Sequence, residues 1–253
     1  AYNLTRALYG QRIRQPIGGD FGISPILVKH YLDQDVWATD IAKFGIDIWM
    51  TTSAVVGGFR ICQARLGAKL HGHKDPASDL GPMFRQVVGT TFQLMDQYHD
   101  YWMKVRGSVE VPTIGEFVGQ RAEAFEIDQA HLIEYFKVGV TNFGGVWENI
   151  IEARDFEVIK ELAGTEKNEH FLMPVESWVR IVYRYATAFQ KTPRQRFKVL
   201  DTLTPLYYGR VGSLVNELRD KTPEESEGHF ESNALVFETM KDYLVELWER
   251  KEE

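Results

Sequence analysis

The sequence predicts a predominantly helical protein with a small β part, and two patterns indicate this fold class. Apolar residues recur at helical spacing along residues 83–95 and through most of the chain after residue 113. Residues 59–66, by contrast, are rich in β-forming side chains and predict a buried strand. Turn-forming residues at 107–113 indicate a boundary, so we expect one domain over residues 1–106 and a helical domain over residues 107–253.

Composition narrows the class of protein. The 253 residues carry a formal net charge of −7, which argues against a general affinity for nucleic acid. Cys62 is the single cysteine, so an intrachain disulfide is excluded and we expect a cytoplasmic location. No apolar run in the sequence reaches the roughly 18 residues that a membrane span needs. The chain begins close to a helix without a leading strand, and we expect it to be a fragment of a longer protein.

The first part of the chain predicts short helices separated by loops. Residues 4–13 predict a short helix, and the Pro- and Gly-containing residues 14–22 predict an irregular loop. Ser24 before Pro25 is typical of a helix N-cap followed by a first-turn proline. Another helix is predicted over residues 46–56, where two glycines end it just before the predicted strand.

The remainder of the chain predicts longer helices. They are expected from Ser78 onward, over residues 127–151 and over residues 175–189. Residues 192–193 predict the start of the next helix, and residues 222–225 have the pattern of a capping box. The last helix is expected to bury Phe230, Ala234, Phe237, Leu244 and Trp248.

Two histidines, His71 and His73, follow the predicted strand. A strand that ends in a glycine-containing loop is where α/β enzymes often place their chemistry. Neutral imidazole is a common ligand of Mn- or Zn-like ions, which makes both residues candidate metal ligands. A pair of surface loop histidines is the commoner origin of such a spacing.

Asp47 is the second candidate, because it lies among apolar residues near the start of the predicted helix 46–56. A carboxylate on an apolar face needs a partner or has a raised pKa, which suits an acid that contacts sugar hydroxyls or a cation. The alternative, which the pattern favours equally, is an exposed first-turn acid stabilised by the helix dipole.

Three further patterns are weaker. The loop with Gly18 and Gly19 allows close approach of backbone to a ligand, and Arg12 and Arg14 beside it suit an anionic substrate, although a simple connector explains the glycines as well. The acidic pair in residues 33–35 has the form of a DxD metal motif, but it follows a predicted helix rather than a strand. Residues 207–210 combine tyrosines with an arginine and favour core packing or a helix junction.

Several motifs, taken in order, resemble a known family. They are PIGGDFG at residues 16–22, GIDIWMTT at 45–52, QARLGAKLHGHK at 63–74 and D-L-G-x-M-F-R-Q-V at 79–87. Their order and spacing resemble the C-terminal half of the GT-A-fold transferases around glucosyl-3-phosphoglycerate synthase, with mannosylglycerate synthase as a more distant relative. The later segments VESWVRIVYRYA and LTPLYYGRVGSLV are similar to bacterial members of this group.

The resemblance implies a retaining glycosyltransferase that moves a hexose from a nucleotide sugar to a small hydroxyl acceptor such as glycerate or phosphoglycerate. His71 then takes the position of a ligand to the Mg or Mn ion on the nucleotide diphosphate. His73 falls where the family contacts the acceptor, and Lys74 next to it is grouped with the donor and acceptor contacts. Asp47 falls where the family usually has glutamate, near the acceptor and the transferred sugar.

The resemblance also assigns two loops, and this sequence departs from the family's pattern in two respects. Gly18, Gly19 and Asp20 match the family's loop beside the donor sugar, and Thr5 matches the threonine of its Gly-Arg-Val-Thr acceptor loop. Asn3 replaces the arginine that would pair with the acceptor phosphate. The family's nucleotide-binding half, with its own DxD, has no counterpart in this sequence. The implied fold is thus the acceptor-side remainder of an α/β GT-A fold followed by a C-terminal helical bundle, and a homodimer is expected. A non-catalytic helical binding or dimerisation module is the alternative.

Overall fold

The computed structural model describes residues 1–66, 76–115 and 127–250, without the side chains of residues 40 and 76–82. The described part is predominantly helical with a small sheet part, as the sequence predicts. Contacts divide the chain into two compact units, Ala1–Glu126 and Ile127–Glu253. Within the described residues, none of the helices combines the length and the apolar character that crossing a membrane requires.

The first unit is built mainly from helices. Their bounds are α1 (Tyr2–Tyr9), α2 (Pro25–Leu32), α3 (Ile46–Val56), α4 (Pro76–Gln97) and α5 (His99–Trp102), with a 3-10 turn at Asp40–Ala42. The predicted cap of α2 is confirmed, because the Ser24 hydroxyl accepts a hydrogen bond from the Leu27 amide and Pro25 is the first helical residue. The predicted bounds of α3 are confirmed as well.

The sheet part of the first unit consists of two parallel pairs of two-residue strands. β1 (Gln11–Arg12) pairs with β3 (Val109–Glu110), and β2 (Gln63–Ala64) pairs with β4 (Thr113–Ile114). The prediction of a buried strand over residues 59–66 is therefore wrong in extent and in burial. Only residues 63–64 form a ladder, and Leu66 is 74% exposed. In an extended segment Arg60 falls on one face, and Gln63 and Arg65 fall on the other, so neither face is apolar along its whole length.

The core of the first unit surrounds α3. Ile48 and Trp49 are fully buried, and the Trp49 ring packs against Tyr31 of α2 at a centroid distance of 5.0 Å. Leu94 of α4 belongs to the same cluster of buried residues as Trp49. At the end of α4, the Trp102 indole donates a 2.7 Å hydrogen bond to the Met95 carbonyl. Side chains from α2, α3 and α4 thus share one hydrophobic core.

The second unit is helical throughout its described length. Its helices are α6 (Gln129–Ile150), α7 (Ala153–Ala163), α8 (Val175–Lys191), α9 (Arg196–Asp201), α10 (Leu203–Leu218), α11 (Pro223–Thr239) and α12 (Lys241–Glu249), with a 3-10 turn at Asn168–His170. The capping box at Thr222 is confirmed, since its hydroxyl accepts from the Glu225 amide and the Glu225 carboxylate accepts from the Thr222 amide. The predicted cap at Thr192 is wrong, because α9 begins at Arg196. The predicted last helix is interrupted at Met240, and Phe230 and Trp248 are only half-buried.

Helices α6 and α10 approach each other closely at glycines. A Cβ atom added at Gly209 would lie 2.5 Å from Cδ2 of Phe136, and one added at Gly139 would overlap the Pro205 ring. Phe136 is fully buried and makes an edge-on contact with Phe171, so the ring has no room to withdraw. The two glycines therefore set the separation of this helix pair.

We expect Gly209→Ala to lower the free energy of unfolding by about 1–3 kcal/mol, because the added methyl group overpacks the contact with Phe136. Gly228→Ala is the matched control, since Gly228 is a helical glycine with open space around its Cα. The control substitution should raise stability by about 0.5–1 kcal/mol through helix propensity. Urea unfolding of both variants measures the difference, and equal stabilisation in both would contradict the close approach.

Candidate functional site

The sequence-predicted site residues that the structure describes come from α1, the loop after β1 and α3. Thr5 is buried in α1, where its hydroxyl donates to the Tyr2 carbonyl at 3.1 Å. In α3, the Thr51 hydroxyl donates to the Pro16 carbonyl at 2.8 Å. This hydrogen bond holds the start of the loop against the helix, and it joins two motifs that are separated by about two dozen residues in the sequence.

Asp47 lies in the first turn of α3 and is half-buried. Since Thr51 follows it by four residues, both side chains leave the helix on the same side. The carboxylate therefore lies on the side of α3 that carries the Pro16 loop. Gly45, directly before α3, packs so closely on Thr90 of α4 that a Cβ atom there would overlap the threonine side chain. The start of α3, and with it the position of Asp47, is fixed by this contact.

The loop itself has a defined backbone. The Gly18 amide donates to the Gln15 carbonyl at 3.1 Å, which closes a tight turn. Gly19 has φ of 74°, a left-handed conformation that residues with a Cβ rarely adopt. Gly19 and Asp20 are both exposed, so this turn presents backbone to solvent beside α3.

A small cavity lies between these elements. Thr5 and Tyr9 of α1, Pro16 of the loop and Thr51 of α3 are among the residues that line it, and its volume is about 10 Å³. This volume suffices for a single water molecule. Burial raises the pKa of the Tyr9 hydroxyl, so this wall of the cavity stays uncharged.

Three predicted site residues, His71, His73 and Lys74, lie outside the described residues. Asp33 and Asp35, the acids of the DxD pattern, are exposed just after α2. In the described ranges, no three histidine, cysteine, aspartate or glutamate side chains come close enough together to hold a metal ion. The structure thus brings Thr5, the Gly18 loop and the Asp47 side of α3 together, while the predicted metal ligand is not placed.

The second unit contains a polar cluster that was not predicted from the sequence. Arg210 and Glu217 of α10 form a bidentate ion pair, with Nη2 of Arg210 and Oε2 of Glu217 2.9 Å apart. The Ser213 hydroxyl donates to Oε1 of Glu217 at 2.7 Å and accepts from the Met173 amide at 2.8 Å. Nε2 of His229, on α11, lies 2.7 Å from Oε2 of Glu217. Residues 210, 213 and 217 follow one another at three- and four-residue spacing on one helix face, and this spacing could have predicted that they form a cluster.

This cluster is electrostatically satisfied. The Arg210 and Glu217 side chains are 9% and 16% exposed. Burial by itself raises the pKa of Glu217, but hydrogen bonds from Arg210, Ser213 and His229 and the arginine charge outweigh burial and hold this pKa below its usual value. Ser213 contacts the carboxylate and the backbone rather than the imidazole, so the geometry of an activated nucleophile is absent from these described residues. The prediction of core packing for residues 207–210 is confirmed, because Tyr208 and Arg210 are buried.

Comparisons of this chain with family models, with curated proteins and with solved structures find no match. The function of the chain is therefore inferred from its motifs and from the contacts that the structure makes between them.

We expect Glu217→Gln to lower the free energy of unfolding by about 3 kcal/mol at pH 7, because it leaves a buried arginine without its counter-charge. The ordinary pKa of the group is 4.5 and the folded-state pKa lies below it, so the carboxylate stabilises fully above pH 4.5 and loses its effect as the pH falls through the folded-state value. The difference between wild type and variant should therefore shrink below pH 4.5. Denaturant unfolding at several pH values measures it, with the exposed Glu148→Gln as the control. A pH-independent difference would contradict this account.

Proposed function

We propose that this chain is the acceptor-side part and C-terminal helical domain of a retaining, divalent-metal-dependent glycosyltransferase with a GT-A-type fold. Its reaction moves a hexose from a nucleotide sugar to a small hydroxyl acceptor such as glycerate or phosphoglycerate. The main support is the contact between two of the motifs that resemble this family. The Thr51 hydroxyl in GIDIWMTT binds the Pro16 carbonyl in PIGGDFG at 2.8 Å, so these motifs form one surface.

In this proposal the described residues act on the acceptor and the transferred sugar. Asp47 orients the acceptor hydroxyl or stabilises positive charge near the anomeric carbon, which suits a half-buried carboxylate beside an exposed turn. Gly18, Gly19 and Asp20 lie beside the donor sugar, where the left-handed Gly19 permits close approach of the backbone. Thr5 forms part of the wall between α1 and α3 behind them.

His71 is proposed as a ligand of Mg or Mn, and His73 and Lys74 as contacts to the donor or acceptor. The metal ion, when bound, neutralises the leaving diphosphate. His71 must be deprotonated to serve as a ligand, so metal affinity should fall as the pH falls below the range in which histidine is neutral. The protein is further proposed to be a cytoplasmic homodimer.

A helical binding or dimerisation module is the second candidate, and one observation favours it. On α6, three large side chains are exposed to solvent: Tyr135 at 44%, Val138 at 47% and Val146 at 41%. Apolar residues on a helix surface are a common feature of interfaces between proteins. This candidate requires neither a nucleotide nor a metal ion.

We expect His71→Ala to abolish the nucleotide-enhanced binding of Mn²⁺, because the substitution removes a proposed ligand. Calorimetry with Mn²⁺ in the presence and absence of UDP or GDP measures the effect. His99→Ala is the control, since His99 is an exposed histidine in the same unit. In a preparation with transferase activity, His71→Ala should also abolish metal-dependent turnover with little loss of stability.

The outcomes separate the two candidates. Nucleotide-enhanced binding that is lost in His71→Ala and kept in His99→Ala supports the transferase. Equal Mn²⁺ affinity in wild type and both variants contradicts the role of His71. Absence of nucleotide and metal binding, together with self-association that is lost in Val138→Glu, supports the helical module.

A further inference from the structure

Four positively charged side chains lie where α8 is joined to α9 in the second unit. Lys191 is the last residue of α8, Arg194 lies in the connection formed by residues 192–195, and α9 begins with Arg196 and contains Lys198. These four residues form a basic cluster in a chain whose formal net charge is −7. Such a local concentration of one sign of charge creates a positive potential at this part of the surface.

The backbone of the basic cluster is coiled rather than extended. The Thr192 amide donates to the Ala188 carbonyl at 3.0 Å. The Gln195 amide then donates to the Thr192 carbonyl at 2.9 Å, and the Lys198 amide donates to the Gln195 carbonyl at 2.8 Å. An extended chain over residues 191–198 would span about 25 Å, whereas bonds of this kind shorten each step to about 1.5–2 Å. The backbone positions of the four charges therefore lie within roughly 10–15 Å, close to the Debye length at 0.1 M salt.

Two phenylalanine rings hold the Arg196 side chain in place. The guanidinium carbon of Arg196 lies 5.4 Å from the centre of the Phe189 ring and 5.3 Å from the centre of the Phe197 ring. The two rings meet edge to face at a centroid distance of 5.7 Å, and Phe189 is buried. Contact with aromatic rings positions a guanidinium group without using its N–H donors. Arg196 thus keeps its donors available for a ligand.

The charges of the basic cluster are not neutralised by carboxylates. Within the described ranges, none of the four side chains forms an ion pair with an acid. Nζ of Lys191 donates to the Arg250 carbonyl at 2.9 Å, and Arg194 and Lys198 are exposed. The described acids of α9 and of α12, which packs beside α8, do not pair with the cluster: Asp201, Glu246 and Glu249. The four positive charges repel one another, and an anion with several charges would relieve that repulsion when it binds.

We propose that Lys191, Arg194, Arg196 and Lys198 form a binding site for a small soluble anion with several linked phosphate groups, an oligophosphate. Arg196 binds one phosphate group through paired N–H donors, because its planar fork matches phosphate geometry. The exposed Arg194 and Lys198 contact the adjoining phosphate groups. Charges spread over roughly 10–15 Å fit a row of phosphates better than a single carboxylate. The site goes beyond the glycosyltransferase proposal and is independent of it, because that proposal uses residues of the first unit.

The test is calorimetry of inorganic tripolyphosphate at low, constant ionic strength, with wild type, Arg196→Gln, Arg194→Gln and Lys221→Gln. Lys221 is an exposed cation of the same unit outside the cluster, so Lys221→Gln changes the net charge equally and is the matched control. We expect tripolyphosphate affinity to fall about tenfold in Arg196→Gln, because a charge-assisted pair of hydrogen bonds is lost. In Arg194→Gln it should fall about two- to fivefold, because an exposed charge contributes less. Lys221→Gln should bind as wild type does.

The control separates a built site from the effect of net charge. Affinity that falls in both cluster variants and is kept in Lys221→Gln supports the proposal. Absence of binding in wild type, or equal losses in all variants, overturns it. Vesicles of phosphatidylserine and phosphatidylcholine form a second arm, and binding to them without binding of tripolyphosphate overturns the oligophosphate ligand in favour of an anionic lipid surface. If Arg196→Gln fails to fold by circular dichroism, Arg196→Lys keeps the charge without the fork and should still weaken binding.

Discussion

Burial of α3 is the constraint on which the first unit depends. The two β-ladders of this unit are pairs of two-residue parallel strands, which contribute few hydrogen bonds. The sheet part therefore cannot hold the unit together by itself. Ile48 and Trp49 are instead fully buried, and rings from α2 and side chains from α4 close around them. The same helix carries Asp47 and Thr51 on another side. The position of the candidate site is thus set by the packing of the core beneath it.

The two units contain ion pairs of different exposure. In the second unit, Arg210 is neutralised by Glu217, and His229 and Ser213 complete the partners of that carboxylate. Such a closed network specifies how α10 and α11 meet and leaves little for a ligand to gain. In the first unit, the ion pair between Arg12 and Glu110 lies at the surface, and the Glu110 side chain is 77% exposed.

Helix packing in the second unit depends on small residues at few points. Gly139 and Gly209 bring α6 and α10 together, and the Trp147 indole of α6 donates to the Thr202 carbonyl just before α10. Arg180 of α8 donates two hydrogen bonds, of 2.7 and 2.6 Å, to Asp155, a fully buried residue of the neighbouring helix α7. These contacts lie in the interior of the unit, so an interface formed by the exposed side chains of α6 would leave them unchanged.

Local signals in the sequence determined several helix ends: the bounds of α3, the Ser24 cap and the Thr222 capping box were predictable, because a helix start depends on neighbouring residues. Asp47, Gly18 and Thr5 could be named as candidates from motifs, but their relative placement could not. Tertiary structure alone decided that residues 59–66 form only a short exposed ladder and that Glu217 joins His229. It also brought Ser108 to Arg6 and Arg12, which precede it by about a hundred residues. Contacts across such separations depend on the packing of whole elements, which the local pattern of side chains does not encode.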